Sequence, residues 1–174
     1  MLRRHPLPRL WLMTDERQGE DLWKALERLP RGSGVVFRHY GLAPGARRKL
    51  FERVQKFAKR RRLLLLARGK GIRGDGAHGG RGRGLRSASA HDLAELKAAE
   101  RSGASLVFLS PAFATRSHPQ ARALGPVRFG LIARQARIPV IALGGMDPRR
   151  ARRLPHIYGW AAIDAWAKRH RAGS

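Results

Sequence analysis

The chain has 174 residues, the size of one ordinary domain, and 43% of them are apolar, which suits a folded core and argues against disorder. It contains no cysteine, which excludes disulfides, thiolate nucleophiles and thiolate-held zinc and fits a reducing, cytoplasmic setting. Its 37 Lys and Arg face 12 Asp and Glu, a formal charge of +25 that attracts phosphates, nucleic acid or anionic lipid.

The opening MLRRHPLPRLWLM is broken by Pro6 and Pro8 and stopped by Thr14-Asp15, so it reads as the lead-in to a strand and not as a signal peptide. Arg9 to Thr14 is the first strand. A helix over Asp21 to Leu29 follows, with Leu22, Ala25, Leu26 and Leu29 on one side and Pro30 at its end. Gly34 to Arg38 is the second strand, and Pro44 opens a helix carrying Leu50, Val54, Phe57 and Ala58 at helical spacing. Leu63 to Ala67 is an unbroken apolar run of buried-strand length, far short of the roughly 20 residues a membrane span needs. Between Arg68 and Gly84 glycine recurs at 69, 71, 74, 76, 79, 80, 82 and 84, and its entropy cost predicts that no crossover helix forms there.

Gly76 to His78 and Leu85 to Ser89 are brief strands within and after that segment, and His91 to Ser102 is an amphipathic helix with Asp92 and Glu95 near its positive end. Ser105 to Leu109, a helix from about Val127 to Ala136, and Ile138 to Leu143 continue the alternation, the last strand closing on Gly144-Gly145. A short helix over Arg149 to Leu154 and a strand over Tyr158 to Ile163 precede a basic tail from Lys168. Eight strands in βα alternation predict one α/β domain over 1–174, a compact TIM (β/α)8 barrel. Because roughly 250 residues is typical of that fold, its helices must be shortened or missing. An open doubly wound sheet is disfavoured, since TDERQGED and not GxGxxG follows the first strand.

Three ordered pieces carry a family resemblance: GDGAHGG at 74–80, SASAHDLAELKAAERSGASLVFLSPAFATRSHP at 87–119, and IPVIALGGMDP at 138–148. In these the chain resembles the thiamine phosphate synthase and thiazole tautomerase (TenI-like) superfamily over nearly its full length. The resemblance implies an α/β barrel that joins an aminopyrimidine carried on pyrophosphate to a hydroxyethylthiazole phosphate, with magnesium, releasing pyrophosphate. It also implies that the anionic groups sit on loops at the carboxyl ends of the strands.

Gly144 and Gly145 follow an apolar strand and let backbone N–H groups approach a phosphate; a turn needed only for packing is the alternative. Arg38 ends the second strand, where its fork suits phosphate oxygens. The resemblance makes it the arginine of a Gln-Leu-Arg-x-Lys strand, with Val36 and Tyr40 replacing the glutamine and the lysine. Ser89 stands between strand and helix, either meeting pyrophosphate, as the resemblance implies, or acting as an ordinary helix cap. His91 and His78 are weaker candidates, His78 being equally readable as a satisfied structural histidine. Thr115, Ser117 and His118 resemble the family's phosphate-contacting Thr-x-Thr-Lys loop, His118 in place of the lysine.

Magnesium is expected from the family, yet its aspartate positions here read Ala67-Arg68-Gly69 and Gly80-Arg81-Gly82-Arg83, so no metal ligand is assigned and no cofactor is certain. Asp75 reads as structural, and Pro111 stands where the tautomerase branch has a histidine. Arg68, Arg81 and Arg83 are expected to converge over the strand ends and hold a pyrophosphate-like group, with Arg38, Ser89 and His118 nearest the chemistry.

These readings lead to a divergent thiamine phosphate synthase, with a non-catalytic family member binding a phosphorylated thiamine-pathway metabolite as the alternative. The clusters Lys59 to Arg62, Arg149-Arg150 and Arg152-Arg153, and the Arg/Gly stretch 68–86, suit phosphodiester backbones. No nucleic-acid-binding motif accompanies them, so a phosphorylated small molecule is the expected partner, with no specific nucleic acid and no membrane. A homo-oligomer is left open.

Overall fold

The computed structural model describes residues 6–69, 71–80, 84–115, 120 and 122–167. The short apolar runs become strands β1 (Leu10–Met13), β2 (Gly34–Phe37), β3 (Leu64–Ala67), β4 (Gly76–His78), β5 (Leu85–Ala90), β6 (Leu106–Leu109), β7 (Val140–Ala142) and β8 (Gly159–Ala162). Each pairs in parallel with the next, and β8 pairs back to β1, Leu12 opposite Ala162, so the sheet closes as a barrel with no edge.

Helices α1 (Asp21–Arg28), α2 (Pro44–Arg61), α3 (Leu93–Arg101), α4 (Gly125–Ala133) and α5 (Pro148–Ala151) form the outer layer. Strands so covered are buried on both faces, which is why they read as continuous apolar runs. Among the described residues no helix joins β3 to β4 or β4 to β5, where the glycines predict none. None of the described helices is long and apolar enough to cross a membrane.

Side-chain alternation splits the core in three. Inside the barrel lie Trp11, Met13, Val36, Leu66, Leu85, Leu106, Phe108 and Ile141, with Trp11 and Phe108 edge to face at 5.3 Å. Outside β1 to β3, Leu12, Val35, Phe37 and Leu65 pack on Leu22 and Leu26 of α1 and on Phe51 and Val54 of α2. Outside the later strands, Val107, Leu109 and Ala142 meet Leu96 of α3 and Phe129 and Ile132 of α4.

Several boundaries differ from the sequence reading, among them α5, which is Pro148–Ala151 and not 149–154; for three others the physical reason is local. Helix α4 spans Gly125–Ala133 and not 127–136, because Pro126 with its fixed φ enters the first turn. Strand β7 is only Val140–Ala142, since Pro139 lacks the N–H that would extend its ladder toward Ile138. Helix α3 starts at Leu93, after Asp92, whose side chain accepts from the Glu95 N–H.

Candidate functional site

Strand alternation decides which side chains reach the barrel mouth. Val36, Leu66 and Leu85 point to the axis, so Arg38, Arg68 and Ser89 share their parity one or two pairs further along β2, β3 and β5. The β3–β4 register, Ala67 opposite Ala77, brings Arg68 level with His78. Ser87 is buried beneath and Ser89 is exposed above it.

His78 forms the floor of this mouth. It is 9% exposed, its Nδ1 lies 2.9 Å from the Ser87 hydroxyl, and its ring meets Phe108 edge-on at 5.6 Å. Burial, and then the positive charges of Arg38 and Arg68, lower its pKa to about 4. The neutral imidazole is therefore a polar floor at pH 7 and no proton donor there. The β2–β3–β4 register sets both arginines on strands beside that ring. Arg68 also reaches the turn after β4: a Cβ built on Gly79 would stand 3.4 Å from its Nη1.

Arg38 is held from β1. Its N–H donates to Thr14 Oγ1 at 2.9 Å, and that hydroxyl lies 3.0 Å from His39 Nδ1. With its oxygen accepting from Arg38, Thr14 can give its proton to Nδ1, which suits a neutral ring. His39 is 5% exposed, and burial, the largest effect, lowers its pKa. Asp15 Oδ2 lies 3.6 Å from the Arg38 guanidinium, a long contact. Burial raises the Asp15 pKa, but hydrogen bonds and charge from Arg17, with the charge of Arg38, outweigh it, and the net shift is downward.

Arg47, near the start of α2, ties the two strand ends together. Its Nε donates to the carbonyl of His39 at 2.9 Å, and its Nη2 donates to those of Arg38 at 2.9 Å and Arg68 at 2.7 Å. Two of those carbonyls belong to Arg38 and Arg68, whose charges act on His78. Sequence reasoning missed Arg47 and Asp15; only the position of Asp15 directly after the first strand could have pointed to it.

Gly144 and Gly145 have φ of +95° and +59°, the left-handed side that glycine adopts without strain. They also pack closely on the loop after β6, where a Cβ on Gly144 would stand 2.8 Å from Pro111 Cα and one on Gly145 2.4 Å from the Ala114 carbonyl oxygen. The packing alternative thus has a physical basis. Among the described residues neither glycine N–H is spent on a protein acceptor, so both can still meet an anion.

Ser89 is not the cap of α3. Asp92 caps it, and Glu95 Oε2 accepts from the His91 N–H at 2.9 Å while lying 2.8 Å from His91 Nδ1, which commits His91 to the helix start. Asp75 accepts from the Leu65 N–H at 2.8 Å and serves the β3–β4 ladder, away from the mouth. Thr115 is half-buried in the loop after β6. Arg81, Arg83, Ser117 and His118 lie outside the described residues.

Magnesium bridging a pyrophosphate needs clustered hard oxygen ligands. Of the family's carboxylate positions, Ala67-Arg68-Gly69 and Gly80 are described and hold no carboxylate, residues 81–83 lie outside the description, and among the described residues no three His, Cys, Asp or Glu gather in one place. The described donor set does not fit that metal; what a guanidinium offers instead is direct pairing with an anion.

The family model described as "Thiamine monophosphate synthase" (TMP-TENI) matches residues 85–165. The "Putative thiamine-phosphate synthase 2" of Aquifex aeolicus (strain VF5) is 32% identical over 160 residues, covering 80% of this chain and 86% of that protein. Among solved structures, "Thiamine phosphate pyrophosphorylase" from Pyrococcus furiosus is similar with a TM-score of 0.77 at 22% identity, over 94% of this chain and 89% of that one. A structure titled "Native KDPGal structure" is similar with a TM-score of 0.53 at 12% identity, over 100% of this chain and 89% of that one. These two likenesses show the fold, a closed eight-stranded parallel barrel. The Aquifex relative, with the matching family model, shows more: this chain belongs to the thiamine monophosphate synthase family.

Proposed function

We propose that the chain is a divergent thiamine phosphate synthase that handles pyrophosphate with arginine. The observation that carries this reading is the register of β2, β3 and β4, which sets Arg38, Arg68 and buried His78 side by side at the strand ends of a family barrel. Pyrophosphate leaving the aminopyrimidine methylene gathers negative charge as the carbon–oxygen bond breaks and the thiazole nitrogen bonds to that carbon. Preorganised cations aimed at that charge stabilise it in the transition state. Arg38 and Arg68 are the residues for this, with the Ser89 hydroxyl as an added donor and Gly144 and Gly145 offering N–H groups to the phosphate of the thiazole partner. Arg81, Arg83, Ser117 and His118 complete the proposed set.

A second reading is favoured by arginine standing where the family has carboxylates: a member that binds a phosphorylated thiamine-pathway metabolite without turning it over. A coupled assay of thiamine phosphate formation, run with and without magnesium, separates the two. Product under either condition supports the synthase; no product, together with calorimetric binding of thiamine phosphate, supports the binding protein. Absence of both contradicts the two readings alike.

A further inference from the structure

The outer face of α2 carries a straight row of cations. Lys49, Arg53, Lys56 and Arg60 are all exposed, and their spacing of four, three and four residues keeps them within about 60° of one another around the helix. Phe51, Val54 and Ala58, on the opposite side, are buried with the outward side chains of β2 and β3. The helix is thus anchored by one face and presents the other to solvent as a rigid rod. We propose that this row docks the phosphodiester backbone of duplex nucleic acid, without regard to sequence.

The charges of the row are unpaired. Over its 18 residues α2 holds eight Lys and Arg and one carboxylate, Glu52, and no ion pair among the described residues involves any of them. Arg47 and Arg61 spend donors on backbone carbonyls, whereas the four side chains of the row make no hydrogen bond among the described residues. Two of the four are also held in place. The Arg53 guanidinium lies over the Trp23 ring, 4.6 Å from its centroid, and that of Arg60 lies 5.7 Å from the Phe57 centroid. The two rings sit against each other at 6.2 Å, between α1 and α2. Stacking uses the flat face of a guanidinium and leaves the N–H donors around its edge for phosphate oxygens. The aromatic pair therefore preorients half of the row.

At 1.5 Å per residue the row runs about 16 Å, the rise of about five base pairs at 3.4 Å each. A single small anion meets one or two of these groups. A stiff polyanion with evenly repeated phosphates meets all four and releases the counterions they hold. Lipid is the poorer match: the apolar side of α2 is buried against the barrel, and Trp23 and Phe57 are partly buried under the arginines, so this face has no apolar surface to insert. Phosphate contacts position a duplex and read no bases, in keeping with the lack of a sequence-reading motif. The row lies on the outer wall of the barrel and shares no residue with its mouth, and the proposal does not rest on synthase activity.

The test is fluorescence anisotropy of a labelled random-sequence duplex of about 20 base pairs, titrated with the full chain between about 50 and 200 mM salt. Two fourfold variants of equal net charge are compared. One combines Lys49→Gln, Arg53→Gln, Lys56→Gln and Arg60→Gln; the other combines Arg128→Gln, Arg134→Gln, Arg152→Gln and Arg153→Gln, all exposed near α4 and α5. The row variant is expected to weaken duplex binding about 100-fold at about 100 mM salt, and to reduce the slope of log affinity against log salt by about 3 to 4. The second variant should change that slope by less than about 1. A further readout needs no substitution: on the isotope-labelled parent, duplex should shift the amides of Lys49 to Arg60 first. Equal losses in the two variants would mean generic attraction to the whole charge, and amide shifts centred elsewhere would move the contact; either overturns the proposal. So does binding of phosphatidylserine–phosphatidylcholine vesicles that the row variant abolishes while duplex binding persists, which would make the face a membrane contact.

Discussion

His78 is buried, with the positive charge of Arg38 and Arg68 acting on it, and the consequence for pH has a definite sign. Its folded pKa, about 4, is below the ordinary 6.5, so between those values the unfolded chain takes up a proton that the folded chain refuses. Stability from this group is complete above about pH 6.5, falls as pH drops toward 4, and levels off below, a loss on the order of 3 kcal/mol at most. His39 is shifted in the same direction and adds to the slope, whereas Asp15, shifted down, loses its contribution only as pH falls through its own lower pKa. Urea midpoints measured from pH 7.5 to 4.5 should decline, and His78→Asn should flatten that decline; an unchanged slope in the variant would show that His78 does not set it. Gly145→Ala meets both a positive φ and the Ala114 carbonyl oxygen 2.4 Å away, and should cost about 1–3 kcal/mol and lower the melting temperature by roughly 2–10 °C. Melting like the parent would mean that the turn relaxes freely.

At the scale of elements, the ends of β2 and β3 form one unit because Arg47 of α2 bonds to both. Arg47→Ala should cost about 1–3 kcal/mol, since part-buried strand-end carbonyls lose a charged donor, and should weaken pyrophosphate binding without removing either candidate ligand. Arg47→Lys should not restore that affinity, because an ammonium lacks the planar fork that reaches three carbonyls. Full affinity in the lysine variant would reduce Arg47 to a surface charge. The strands were legible in the sequence because burial on both faces leaves continuous apolar runs such as Leu64 to Ala67. The glycines at 69 to 84 likewise announced the missing helices. Helix α4 was misplaced by two or three residues and β7 drawn too long because Pro126 and Pro139, respectively, shift boundaries that periodicity alone does not resolve. The strand-end positions of Arg38, Arg68 and Ser89 were legible in the sequence. Arg47 was not, since among 37 Lys and Arg nothing local marks the one that staples two strands.

For the whole molecule, a formal charge of +25 on 174 residues opposes compaction by self-repulsion, which mobile ions screen over about 10 Å at 0.1 M salt. Thermal stability should therefore rise between 20 and about 300 mM salt, while any binding to random duplex DNA should fall steeply over the same range. Duplex binding that survives the higher salt would point to a nucleic-acid role beyond generic attraction. The same charge surrounds the barrel mouth, where arginine replaces the carboxylates of the family pattern. The account's central claim is that this mouth pairs pyrophosphate with guanidinium and not through a metal. Calorimetric titration of pyrophosphate into the chain, in EDTA and again with excess magnesium, tests it most directly. Binding of similar strength in both, weakened about 10- to 100-fold by Arg38→Ala with Arg68→Ala, is the predicted result. Binding that appears only with magnesium, or that the double substitution leaves unchanged, would contradict it.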